Sequence, residues 1–279
     1  MGGNRFDQKR TPAIEPRAMG DHSEGSRTGV TWRAAVGASR SVVFYAGYVV
    51  LTVVWGSLGV LTGWLLPYRA RFVYIIVIWT RLVLGWLRIT CGIRHRISGL
   101  DQLPEEPCVV LARHESTWET LFLQSLFVPQ STVIKRELLW IPFFGWAFSL
   151  LYPIAIDRKD ARGALKTLIR SGRKRLEHGA WVILFPEGTR LAPGEQGKVQ
   201  RGGAALATAA DVPVVVVAHN AGRYWPARQL SKYPGCIDVE VSPPIPTSGR
   251  TTPEVTAEAQ RWLDEAMARL YADATPRTD

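Results

Sequence analysis

Cysteine is scarce in this chain, with three residues in 279 (Cys91, Cys108 and Cys236) and no CxxC pair. That argues against a disulfide framework or a cysteine zinc site, and it fits a reducing compartment. There is no G-x-S-x-G elbow of the serine hydrolases, and His114-Glu115-Ser116-Thr117-Trp118 lacks the second histidine of a zinc-protease H-E-x-x-H box. The 25 glycines and 18 prolines follow no triplet repeat, which removes a collagen-like reading. Apolar residues at 47% and charged ones at 21% also rule out wholesale disorder. Between residues 41 and 90 acids are absent altogether, while Arg69, Arg71, Arg81 and Arg88 remain.

The net charge is +10, which implies an anionic partner without choosing one. Its distribution is more selective. A basic block coincides with the most apolar stretch, which points to a membrane surface; no recognisable nucleic-acid module accompanies it, so no nucleic acid is expected as a partner. From Val42 to Leu66 there are no charges. As a helix this run is about 37 Å long, more than the roughly 30 Å of a bilayer core. A second apolar run, Phe72 to Leu87, carries Arg81 near its middle. An arginine at a bilayer centre costs about 2.5–3.5 kcal/mol, which disfavours a clean second span. Trp32, Trp55, Trp64, Trp79 and Trp86, with Tyr45, Tyr48, Tyr68 and Tyr74, crowd the same region and fit rings at headgroup depth. Two spans would put Arg69 and Arg71 on the far side, and one span would separate two basic segments. A two-helix hairpin dipping into one leaflet satisfies both constraints. The expected organisation is a flexible tail at 1–30, a membrane-associated two-helix segment at 31–90, and the main domain at 91–279.

From about Gly92 short β-rich runs alternate with helical ones. The expected strands are Cys108–Ala112, Thr132–Ile134, Pro153–Ile156, Trp181–Phe185, Val214–Ala218 and Ile237–Val241. Between them Ala161, Ala164, Leu165, Leu168, Ile169 and Leu176 recur at helical spacing. A last helix opens at Thr252-Pro253-Glu254, read as a cap residue, a proline at N1 and an early acid. Continuous apolar strands such as Val214–Val217 suit a sheet covered on both faces. The fold class is therefore α/β, a largely parallel sheet flanked by helices and preceded by the apolar two-helix motif.

Two segments at strand ends carry chemistry. In His114-Glu115-Ser116-Thr117-Trp118-Glu119, Glu119 lies about one helical turn from His114. It can reach back to one ring nitrogen and leave the other as a base. In Phe185-Pro186-Glu187-Gly188-Thr189-Arg190, glycine permits a tight turn, threonine adds a hydroxyl, and arginine adds a planar fork suited to phosphate. Ile156-Asp157-Arg158 ends a third strand with another arginine.

The order HESTWE, then Lys135-Arg136-Glu137-Leu138 with Pro142 and Gly145, then IDR, FPEGTR and Val212-Pro213-Val214 resembles the glycerolipid acyltransferases. The resemblance is to the 1-acyl-glycerol-3-phosphate (lysophosphatidate) acyltransferase family and covers about residues 90–245. One departure is Glu119, where the family has aspartate. The resemblance implies that His114 is the base and Glu119 its orienting acid, acting directly on the free hydroxyl of lysophosphatidate. The donor would be acyl-CoA or acyl carrier protein. It further implies that Arg158, Glu187, Gly188, Thr189 and Arg190 grip the glycerol phosphate, with Lys135 adding charge. No metal or bound cofactor is implied, and the expected location is the cytoplasmic face of a membrane. Two other readings stay open: acylation of another lyso-lipid, such as a lyso-ornithine lipid, and a non-catalytic membrane-surface adaptor.

Overall fold

The computed structural model describes residues 24–157 and 160–272. Arg158 and residues 1–23 of the expected tail lie outside the described residues. The first helix, α1 (Glu24–Thr62), begins within that expected tail. A short turn leads into α2 (Tyr68–Phe72), a single π-helical stretch (Val73–Val77) and α3 (Ile78–Cys91). Gly92, left-handed at φ 69°, ends α3 and feeds β1 (Ile93–Ser98).

The domain then alternates. β2 (Val109–Ala112) leads to α4 (Trp118–Leu126), and β3 (Gln130–Lys135) leads to α5 (Phe144–Ser149). β4 (Ile154–Ile156) precedes α6 (Ala161–Glu177), and β5 (Trp181–Leu184) precedes α7 (Gly202–Ala210). β6 (Val214–His219) and β7 (Gly235–Val241) precede α8 (Thr252–Ala272). The strands form one seven-stranded sheet in the order β1-β7-β6-β2-β5-β3-β4. All neighbours are parallel except β6 and β7.

The sheet is covered on both faces, as the apolar strands required. One core joins Val110, Ile183, Val215 and Val217 to α4, α5 and the N-terminal helices, through Phe44, Phe72, Trp79, Val83 and Leu87. The other packs Val109, Leu111, Val182 and Val216 against Leu168, Leu206, Val255 and Leu263 of α6, α7 and α8. Residues 31–90 therefore do not form a separable appendage: their helices supply one of the two layers over the sheet. Close approach of α1 uses glycine, since a Cβ on Gly56 would come within 2.9 Å of the Phe143 backbone.

Several expectations need correction. The aromatic belt is largely internal: Trp79 is buried, Tyr45, Tyr48, Trp55, Tyr74 and Trp86 pack on the core, and of the belt rings whose side chains are described only Trp64 is exposed. β1 was not anticipated, because Arg94, His95 and Arg96 give this edge strand little apolar signal. In α6, Leu165 faces outward, so the buried stripe is narrower than spacing indicates. The residue capping α8 is Thr251 rather than Thr252. Its hydroxyl and backbone N–H both donate to Glu254 at 2.7 Å, a capping box.

Candidate active site

The site forms where β2, β5 and β3 end. His114 lies in the five-residue loop before α4 rather than in the helix, and Glu119 sits in the first helical turn. The loop folds back so that His114 Nδ1 lies 2.8 Å from Glu119 Oε1. The same oxygen accepts the backbone N–H of Ser116 at 2.9 Å and of Glu115 at 3.2 Å. Glu119 is fully buried. Burial alone would raise its carboxyl, yet the bond from His114, the nearby His219 and the Ser116 N–H outweigh this and hold it below the usual value. An ionised Glu119 fixes the His114 tautomer with Nδ1–H toward it and leaves the Nε2 lone pair outward. Phe185 stacks on the imidazole with ring centroids 4.3 Å apart, so the ring is held from its face as well as its edge.

Around this pair lies a buried polar network that sequence reasoning missed. His219, at the end of β6, has Nε2 2.9 Å from the Arg113 carbonyl and takes the Ala221 N–H at Nδ1. Glu115, itself fully buried, accepts from Gly222 N–H at 2.9 Å, from the Tyr271 hydroxyl at 2.8 Å and from Arg113 Nε at 3.4 Å. The Ser116 hydroxyl donates to the Trp225 carbonyl at 2.6 Å. Arg113 also reaches Glu187 at 3.4 Å and the Glu195 carbonyl. Apart from Arg113–Glu115 and His219–Ala221, each two residues apart, these partners are distant in sequence, so no local pattern could have revealed the network. Arg113 alone carried a signal, as a charged residue directly after a buried strand.

The other expected residues divide. Lys135, Gly188, Thr189 and Arg190 line one groove of about 610 Å³ together with His114. The Gly188 turn needs φ 72°, which glycine adopts without strain, and its N–H donates to the Phe185 carbonyl at 3.1 Å. Glu187 is placed differently: its side chain is only 1% exposed and is paired with Arg113, behind the groove wall. Burial, only partly offset by Arg113, pushes its carboxyl up to about 7. The inner groove is apolar, with Ile76, Trp79, Leu121, Phe144 and Phe148 among its walls. Among the described residues no carboxylate side chain lines it. A groove with a fixed base, an apolar run and a cationic mouth can hold a molecule that joins an aliphatic chain to an anion.

Comparisons with known proteins agree with this construction. Residues 94–220 match the family model described as Acyltransferase. The chain is 46% identical over 240 residues to a 1-acyl-sn-glycerol-3-phosphate acyltransferase of Pseudomonas aeruginosa, covering 85% of this chain and 93% of that one. It is 33% identical over 184 residues to the human 1-acyl-sn-glycerol-3-phosphate acyltransferase alpha, covering 65% of each. The fold is similar to the crystal structure of the LPA acyltransferase PlsC from Thermotoga maritima, with TM-score 0.71 at 19% identity, over 86% of this chain and 99% of that one. The protein is an acyltransferase. Within that class, it belongs to the 1-acyl-sn-glycerol-3-phosphate acyltransferase family.

Proposed function

We propose that this enzyme transfers a fatty acyl group from an acyl thioester to the free hydroxyl of 1-acyl-glycerol 3-phosphate, giving phosphatidate. The observation that carries this reading is the juxtaposition of a carboxylate-held histidine with a groove that is apolar inside and cationic at its mouth. His114 Nε2 takes the hydroxyl proton as the oxygen attacks the thioester carbonyl. The tetrahedral intermediate collapses with cleavage of the C–S bond, and the imidazolium returns the proton to the departing thiolate. Glu119 stays ionised and stabilises the imidazolium through the step. Arg190, Lys135 and the Gly188–Thr189 turn grip the phosphate, joined by Arg158 from the IDR segment. Glu187 acts at one remove, by holding Arg113 and the turn. The thiol carrier is CoA or acyl carrier protein. The N-terminal hairpin rests in one leaflet on the cytoplasmic side, because substrate and product are bilayer lipids.

The test is thioester-dependent acylation of lysophosphatidate by purified membranes containing His114→Ala. A positioned base contributes about 10²–10⁴-fold, and turnover should fall by that amount while the protein stays folded and membrane-bound. Wild-type turnover in that variant would remove the catalytic role of His114.

A further inference from the structure

One cation at the mouth of the groove has no role in the reaction as derived so far. Arg228 lines the same groove as His114, Lys135 and Arg190, although it lies 38 residues beyond the FPEGTR segment. Its backbone is left-handed, with φ 62°. L side chains rarely adopt that conformation, and it persists only where the surroundings impose it.

The loop that carries it is anchored at both ends. On one side of the loop, the Trp225 carbonyl takes the hydroxyl hydrogen of Ser116, two residues from His114, and the Trp225 ring meets Phe44 of α1 edge-on at 5.2 Å. On the other side, the Lys232 N–H donates to Ser41 Oγ of α1 at 2.9 Å. The Lys232 ammonium is buried 3.6 Å from the Tyr45 ring centroid, with the Trp225 and Phe44 rings at 4.6 and 4.7 Å. Tyr233 N–H closes the neck onto the Tyr224 carbonyl at 2.8 Å. Residues 226–231 are thus a short bridge pinned to both the histidine box and the membrane helix, and its exposed arginine lies along the groove.

We infer that Arg228 is an acceptor-recognition residue, a second guanidinium of the same groove that binds the phosphomonoester of the lyso-lipid together with Arg190. This rests on the acyl-transfer reading. A groove that offers two guanidinium groups and Lys135, with no carboxylate among its lining residues, favours a dianion. Phosphate could also come from a CoA donor, so the measurement must separate acceptor from donor.

The experiment uses the full-length chain in membranes and compares wild type, Arg228→Asn, Arg228→Gly, Arg228→Lys and Arg190→Ala. Asn and Gly tolerate the left-handed backbone, so they remove the charge without forcing the loop. KM for lysophosphatidate should rise about 10- to 100-fold in Arg228→Asn and Arg228→Gly, with kcat falling less than about threefold. KM for the acyl-CoA donor should hold, inhibition by glycerol 3-phosphate should weaken in parallel, and Arg228→Lys should recover part of the loss. A rise confined to the donor KM would overturn the assignment to the acceptor. Unchanged kinetics in both Arg228→Asn and Arg228→Gly would overturn the role of Arg228 altogether. If Arg190→Ala is still impaired in that case, the proposed function stands without Arg228. If wild type itself fails to acylate lysophosphatidate, it is the proposed function that falls.

Discussion

The two apolar stretches at the N-terminus have nearly the same peak hydropathy and different surroundings. The most apolar 18-residue windows of Gly37–Leu65 and Tyr68–Cys91 have mean hydropathies of 1.7 and 1.8, and both helices are long and apolar enough to cross a membrane. Yet the richest window of the first is 17% buried by the protein and that of the second 44%. Val42, Val43, Val49, Val50, Val53 and Val54 on α1 are exposed, while Trp79, Val83 and Leu87 on α3 lie in the core between α1 and the sheet layer. Hydropathy reports that a helix avoids water and is silent on what shields it. In α3 protein shields the whole face that carries Trp79, Val83 and Leu87. In α1 the shield is protein along one stripe only, and the rest presents a surface suited to lipid.

That contrast can be broken or sharpened by substitution. The largest effect is expected for Val83→Asp, which places a charge at a position with no solvent exposure. The variant should fail to accumulate as folded protein in detergent, and a native-like melting transition would show that α3 is not a core helix. Leu87→Ala should be milder, costing about 2–5 kcal/mol through lost burial and a residual cavity. Thermal unfolding in detergent measures it, and a shift no larger than that of an α1 surface variant would erase the distinction. The smallest change in stability, within about 0.5 kcal/mol, is expected for Val50→Asp combined with Val54→Asp, because both sites are exposed. The same pair should nevertheless reduce co-sedimentation with liposomes, since it charges the face assigned to lipid. Full retention on liposomes after a high-salt wash would place that face against something else.

The layered sheet was legible because most of its strands carry short apolar or alternating runs, and six of the seven could be placed from pattern alone. β1 was not, since Arg94, His95 and Arg96 belong to an edge strand whose exposed side chains look like loop. The His114–Glu119 pair was legible because its partners sit only five residues apart. Its supports were not, since His219, Gly222, Trp225 and Tyr271 reach it only through the sheet and α8. Glu187 shows the limit of carrying a motif over whole: it keeps its place in FPEGTR but turns inward to Arg113. The internal placement of the aromatics could not be read from composition, because rings at a lipid interface and rings between packed helices have the same sequence signature.

The bond between Tyr271 and Glu115 joins the last described turn of α8 to the histidine segment, across 156 residues. During synthesis, the histidine box leaves the ribosome long before the residue that completes its buried cradle. Until α8 docks, Glu115 lacks its phenolic donor, and the loop that aims His114 is missing one of its ties. The apolar N-terminal helices emerge earlier still, so the chain can reach a bilayer while the cradle around His114 is unfinished. Order of emergence thus places attachment before competence, and a chain cut short near its end would be a bound but poorly assembled enzyme.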